Sequence, residues 1–300
     1  MSLSATDSMH VVGGSASRKL AGELSKSLGV SLSEVEVKRF PDDECYVRIL
    51  DNLEGEHVVV VQTAWPDTSI VELMLLHDAV HDMNPSSVTT VVPYFGYARQ
   101  DKRFKEGEPI SARALARMIQ AQSDRFITVD VHASSVIGWF DQIPAQNVSA
   151  HAEIGKFLRS RGVEMVLSPD EGRKENAKRV ADVVGCESDF LVKERVDGET
   201  VRMAPKSLDS AGRNVAIVDD IISTGGTIVK ASEQLRRQGA AKVIAVCTHG
   251  VFASNAIPRL RAACDEVHST DTIENPTSAI TVAPEIARAI VDAAGTPKAT

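Results

Sequence analysis

The sequence predicts an α/β protein of two related domains, each a mostly parallel sheet flanked by helices. Three observations carry this. Short β-branched runs alternate with amphipathic helical stretches through almost the whole chain. The runs are continuously apolar rather than alternating with polar residues, which is the pattern of strands covered on both faces. Two segments also recur weakly. Thr128-Val129-Asp130 resembles Ile217-Val218-Asp219, and Val91-Val92-Pro93 resembles Val166-Leu167-Ser168-Pro169, so a duplicated α/β unit is the economical explanation.

Taken in order, the first convincing strand is Met9–Val12, and residues 1–8 are expected to lack regular structure. Buried strands follow at Val58–Val61, Val88–Val92, Phe126–Val129, Glu164–Leu167, Val215–Val218 and Val243–Val246. Between them, apolar residues at helical spacing predict helices over Ile70–Met83, Ile110–Gln122, Ala150–Arg161, Glu175–Val184 and Thr227–Gln238. The domain boundary falls near Asn147–Ala150, giving an N-terminal domain over 1–148 and a C-terminal domain over 149–300. A last helix, Ala283–Ala293, is stopped by Gly295 and Pro297 and is free to pack back on the N-terminal domain.

Composition narrows the function. With 43% hydrophobic and 25% charged residues in 300, the chain can bury one large or two ordinary cores. No apolar run approaches the roughly 18 residues of a membrane span. The start lacks a basic stretch followed by an apolar core, so a cytoplasmic protein is expected. Cys45, Cys186, Cys247 and Cys264 are too scattered for a zinc site or a disulfide framework and read as free thiols. A net charge of -8 argues against a nucleic-acid footprint, which needs a basic face. Anionic substrates must then be held by local cations and backbone amides.

The most specific local signal is Val215–Thr227, an apolar strand ending in Asp219 and Asp220, then Ile221-Ile222-Ser223-Thr224-Gly225-Gly226-Thr227 and a helix. Gly225 and Gly226 let backbone amides approach an anion, and Ser223, Thr224 and Thr227 add hydroxyl donors. The two acids cannot bind phosphate, so they suit sugar hydroxyls, directly or through a metal. No lysine follows the glycines, so this is not a Walker loop. The stretch resembles the ribose-phosphate loop of the type I phosphoribosyltransferase fold.

Four other segments carry charge where a polyphosphate chemistry would need it. Lys38–Ile49 sets Phe40 among charges, followed by Asp42, Asp43 and Glu44, in what looks like a projecting hairpin. Val92–Phe104 places Arg99, Lys102 and Arg103 within five positions after a strand. Val129-Asp130-Val131-His132-Ala133 and Leu167–Arg173 both lie at strand ends, where α/β folds place ligands. Leu191–Arg195 puts Lys193 and Arg195 two apart on a strand, hence on one face.

In this order, from about Val11 to Ile290, the segments resemble the ribose-phosphate pyrophosphokinases. The resemblance implies two domains of phosphoribosyltransferase type and transfer of pyrophosphate from ATP to ribose 5-phosphate. It implies that Phe40, Asp42 and Glu44 hold adenine, with Asp43 standing where the family usually has glycine. Arg99, Gln100, Asp101 and Arg103 are implied to bind the rest of the nucleotide. His132 and Asp170 are implied as magnesium ligands, although imidazole is atypical for Mg2+ and chemistry alone reads His132 as a hydrogen-bonded structural residue. Asp170–Arg173 is implied to face pyrophosphate, with Arg173 where many members have a second glycine. Lys193 and Arg195 are implied to stabilise the transition state. Asp219 and Asp220 are implied to orient ribose 5-phosphate, and Ser223–Thr227 to bind its phosphate. The family also implies a homo-oligomer built from dimers, with the adenine-holding segment supplied by a neighbouring subunit. A phosphoribosyltransferase and a non-catalytic regulatory homologue are the alternatives. The first needs neither Phe40 nor the Arg99–Arg103 cluster, and the second should have lost charged residues that are present here.

Overall fold

The structure, a computed structural model, describes residues 9–195, 201–205 and 209–294, without the side chains of 193–195, 201–205 and 294. Residues 1–8 and the helix-stopping Gly295 and Pro297 lie outside the described residues. The described residues form two compact units, one within 9–149, 272–274 and 281–294, the other within 150–271 and 275–280.

In the first unit, β1 (Met9–Gly13) leads through α1 (Arg18–Leu28) to the short β2 (Ser31–Leu32). A separate antiparallel hairpin follows, β3 (Val35–Arg39) and β4 (Cys45–Ile49). The chain returns through β5 (His57–Val61), α2 (Asp67–His81), β6 (Ser87–Val92), α3 (Ser111–Gln120), β7 (Arg125–Val129) and β8 (Ala145–Val148). These strands form a six-stranded sheet in the order β2-β1-β5-β6-β7-β8, parallel throughout. Val58–Val61 are entirely buried because helices cover both faces of the sheet. Phe126 and Phe140 stack at 3.8 Å in that core, and Phe95 meets both edge-on.

In the second unit, α4 (His151–Arg159) precedes β9 (Met165–Ser168), α5 (Lys174–Val184), β10 (Glu187–Arg195) and β11 (Val201–Pro205). Then come β12 (Asn214–Ile222), α6 (Gly226–Arg237), β13 (Lys242–Gly250), α7 (Ala256–Ala263), β14 (Glu266–Thr270) and β15 (Ser278–Ile280). The sheet order is β11-β10-β9-β12-β13-β14-β15, with only β11 antiparallel. The final helix α8 (Ala283–Ala294) belongs to the first unit and packs on α1.

Laid side by side, the two units share one topology. Each has a first strand, a helix, a strand beside the first, an excursion containing antiparallel pairing, a returning strand, and then helix, strand, helix and two strands. In this register β1 corresponds to β9, β5 to β12, β6 to β13 and β7 to β14. Even the outer helix has a counterpart, since α4 packs on α5 as α8 packs on α1. The duplication is therefore real, but the short matches expected to mark it pair the wrong strands. Thr128–Asp130 lies at β7, two strands along from β5, the true counterpart of Ile217–Asp219. Buried parallel strands all end in similar β-branched runs, so local likeness cannot set the register between two such sheets.

Candidate active site

In the second unit, the charged segments converge because three neighbouring strands deliver them to the same sheet end. Strands β9 and β12 pair directly, with Leu167 level with Ile217. Asp170 and Asp220 each lie three residues beyond that pair. On the other side of β9, Phe190 pairs with Ser168, so β10 carries Lys193 and Arg195 past the same end. There the backbone of Lys193 pairs with Met203 of β11. The side chains of Lys193 and Arg195 lie outside the described residues. The carboxyl ends of adjacent parallel strands are where ligands bind in this architecture.

Asp219 and Asp220 do not follow the strand, as expected, but sit within its last residues, since β12 runs on to Ile222. The buried segment is longer than its apolar run because the ladder to β13 continues past the acids, pairing Asp219 with Cys247 and Ile221 with His249. Asp220 is 6% exposed and its Oδ2 is 2.7 Å from Arg173 Nη2. The Ile221 N–H donates to Asp220 Oδ1 at 2.8 Å, and the Asp220 N–H to Asp219 Oδ1 at 2.9 Å. Burial first, and then the neighbouring Asp220 charge, hold the Asp219 carboxyl well above the ordinary carboxylate range.

The loop after β12 has the conformation its glycines allow. Gly225 adopts φ +73° as the residue capping α6, and an added Cβ there would meet Leu260 at 3.1 Å. Beyond it, the first N–H groups of α6 lack intrahelical acceptors and are free to face an anion. Ser223 is half-buried, while Thr224 and Thr227 are exposed. Arg259 of α7, which sequence reasoning did not single out, donates from Nη2 to the Thr224 carbonyl at 2.7 Å. Nothing short of the fold reveals that contact, because the partners are 35 positions apart.

The turn after β9 is equally tight. Ser168 Oγ donates to the Asp170 carbonyl at 2.6 Å, and a Cβ on Gly172 would lie 3.2 Å from Asp170 Oδ1. The Asp170 side chain remains exposed at the head of the turn.

In the first unit, two more charged segments emerge from the adjacent strands β6 and β7. The loop after β6 is built as a scaffold. The Gln100 N–H donates to the Tyr97 carbonyl at 2.9 Å, Ser111 Oγ to Gln100 Oε1 at 2.7 Å, and Arg103 Nε to the Glu108 carbonyl at 3.0 Å. Ser135, just beyond β7, donates from Oγ to Asp101 Oδ2 at 2.8 Å, joining the two strand-end segments. Arg99, Lys102 and Arg103 are exposed. His132, half-buried, follows β7 two residues after Asp130, whose N–H donates to the Val148 carbonyl.

Phe40–Glu44 forms the tip of the β3–β4 hairpin, apart from the main sheet. Phe40 is 45% exposed and meets Tyr46 edge-on at 5.8 Å. The tip closes through the Phe40 N–H to Glu44 O and Asp43 N–H to Phe40 O bonds, both 2.9 Å. The Glu44 N–H reaches Asp42 Oδ1 at 3.3 Å. Asp43 adopts φ +69°, the left-handed region that glycine enters freely and aspartate tolerates better than most residues. The position where the resemblance implies a glycine is thus filled by a residue in a conformation that glycine favours.

Among the described residues, neither the thiols nor a preformed cluster of metal ligands marks this arrangement. All four thiols are pushed up by burial, Cys247 furthest, so none is prepared as a nucleophile. Among the described residues, no group of three or more His, Cys, Asp or Glu side chains is placed to hold a metal. None of the described helices is long and apolar enough to cross a membrane.

Comparison with known proteins agrees over nearly the whole chain. Residues 9–122 match the N-terminal domain of ribose phosphate pyrophosphokinase, and residues 151–284 match the phosphoribosyl transferase domain. The chain is 43% identical over 292 residues to the ribose-phosphate pyrophosphokinase of Methanopyrus kandleri, covering 96% of this chain and 100% of that one. It is 44% identical over 275 residues to that of Thermococcus kodakarensis, covering 91% and 97%. The crystal structure of phosphoribosylpyrophosphate synthetase from Mycobacterium smegmatis is similar with a TM-score of 0.79 at 29% identity, covering 95% of this chain and 98% of that one.

Proposed function

The chain belongs to the ribose-phosphate pyrophosphokinase family, and on that premise we propose how its residues divide the work. The reaction transfers the pyrophosphoryl group of ATP to the anomeric hydroxyl of ribose 5-phosphate, giving 5-phospho-α-D-ribose 1-diphosphate and AMP. The observation that carries the proposal is the convergence at the carboxyl ends of β10, β9 and β12. Asp219 and Asp220 accept hydrogen bonds from the sugar hydroxyls. The amides and hydroxyls of Ser223, Thr224, Gly225, Gly226 and Thr227 hold the 5-phosphate. With the sugar fixed at both ends, its anomeric oxygen attacks the β-phosphorus of ATP and AMP leaves. Lys193 and Arg195 neutralise charge that grows on the transferring oxygens. No covalent enzyme intermediate is needed, in keeping with the raised thiols.

The nucleotide is assigned to the other segments. Phe40 offers a ring face to adenine, with Asp42 and Glu44 near its amine. Arg99, Gln100, Asp101 and Arg103 take the ribose and phosphates. Magnesium fits as an ion carried largely by phosphate oxygens, because it commonly binds one or two protein carboxylates and keeps the rest of its shell for water and phosphate. Asp170, an exposed carboxylate on the turn closed by Ser168, suits that role. His132 holds its implied place as the second ligand, although a nitrogen donor suits the ion less well. When bound, the ion would neutralise phosphate charge and help to orient the polyphosphate. A homo-oligomer built from dimers and a cytoplasmic location complete the proposal. The exposed ring of Phe40 supports the first, since a neighbouring subunit would cover it.

The direct test is AMP release measured with and without ribose 5-phosphate. AMP formation should depend on ribose 5-phosphate and match the 5-phosphoribosyl diphosphate formed one for one. AMP release independent of the sugar, or no AMP at all, contradicts the proposal.

A further inference from the structure

Arg173 stands at the acceptor site with no role among these. Arg173 ends the turn after β9, where many family members are expected to have glycine, and its guanidinium meets Asp220 at 2.7 Å. This is no solvated surface contact, since Asp220 is 6% exposed and Arg173 27%. The Ile221 N–H already occupies the other Asp220 oxygen. Each Asp220 oxygen thus carries a donor, so a sugar hydroxyl that binds this carboxylate has to join or displace one of them.

We infer that Arg173 switches partners during the reaction, holding Asp220 while the acceptor site is empty and passing to the diphosphate group once the sugar takes the carboxylate. The inference rests on the assignment of Asp220 to ribose 5-phosphate. Its physical basis is the layout of the turn. The Ser168 Oγ bond to the Asp170 carbonyl closes the turn ahead of Arg173, so the guanidinium can leave Asp220 by a side-chain movement. The turn projects from β9, the immediate neighbour of β12, so a released guanidinium stays beside the sugar site. A planar guanidinium offers a fork of donors that fits a phosphate as well as a carboxylate, so the exchange replaces one charge-assisted contact by another. Glycine at this position could do neither.

The test is calorimetric binding of ribose 5-phosphate alone, and of inorganic pyrophosphate with ribose 5-phosphate saturating, to the full-length protein and to three variants. Arg173→Ala should bind ribose 5-phosphate at least as tightly as the parent, because no ion pair has to be opened. The same variant should bind pyrophosphate about tenfold more weakly, as expected for one lost charged hydrogen-bonding partner. Arg173→Lys, which keeps a charge without the fork, should recover part of the pyrophosphate affinity and serves in its place if the alanine variant does not fold. Equal loss of affinity for both ligands would mean that Arg173 merely shapes the turn and would overturn the inference. So would unchanged pyrophosphate binding. Asp220→Asn separates the two levels of the argument. If it binds ribose 5-phosphate like the parent, the acceptor-site assignment itself fails. If it loses that binding while Arg173→Ala changes nothing, only the switch fails.

Discussion

Replacing Lys193 with alanine is expected to slow turnover by about 10²–10³-fold while changing the apparent affinity for ATP little. The expectation comes from where β10 ends. Its ladder with β9 brings Lys193 beyond the same sheet end that carries Asp170 and Asp220. A cation there meets its strongest partner only when charge accumulates on the transferring phosphoryl oxygens, so its loss falls on the transition state. Steady-state kinetics with both substrates varied will check this. An effect confined to substrate affinity would remove Lys193 from the catalytic step and leave it a binding residue.

Mixing two weakened variants should restore activity that neither has alone. Phe40→Ala damages only the adenine side of a site, and Lys193→Ala only the transfer side. If the hairpin tip serves a neighbouring subunit, then in each mixed dimer one site receives both defects and the other neither. Random exchange then regenerates about a quarter of the sites, as the twofold symmetry of an isologous dimer requires. The measured rate of the mixture should exceed the sum of the separate rates. With subunit exchange demonstrated independently and no added activity, the site would be built within one chain. The exposed Phe40 ring would then have to be covered by some other means.

Much of the fold was legible because buried parallel strands announce themselves. Val58–Val61, Val88–Val92 and Phe126–Val129 fall within strands β5, β6 and β7, whose apolar runs leave no choice of face. What the sequence concealed lies at the sheet margins. Strand β8 reads Ala-Gln-Asn-Val and β14 Glu-Val-His-Ser-Thr, too polar to stand out from a loop. Helix α7 carries Pro258 in its first turn, a position that helices tolerate but that reads as a break. The candidate site divides the same way. Loop chemistry marked Ser223–Thr227 as a candidate anion loop, since glycines and hydroxyls before a helix have few other uses. The Arg173–Asp220 pair and the Arg259 contact to Thr224 stayed hidden, because each joins residues distant in sequence. No local pattern encodes a partner brought near by folding.

Asp220→Asn measures most directly whether the acids of β12 serve the sugar. Both oxygens of this buried carboxylate are engaged by donors, so the amide keeps the shape while removing the charge and one acceptor. Initial rates with each substrate varied should show the apparent constant for ribose 5-phosphate raised by about 10- to 100-fold, the range for a lost charged hydrogen bond. The constant for ATP should stay close to that of the parent, and the fold should be intact by circular dichroism. A variant with unchanged dependence on ribose 5-phosphate would contradict the account and leave the acid pair as structural support for the strand end.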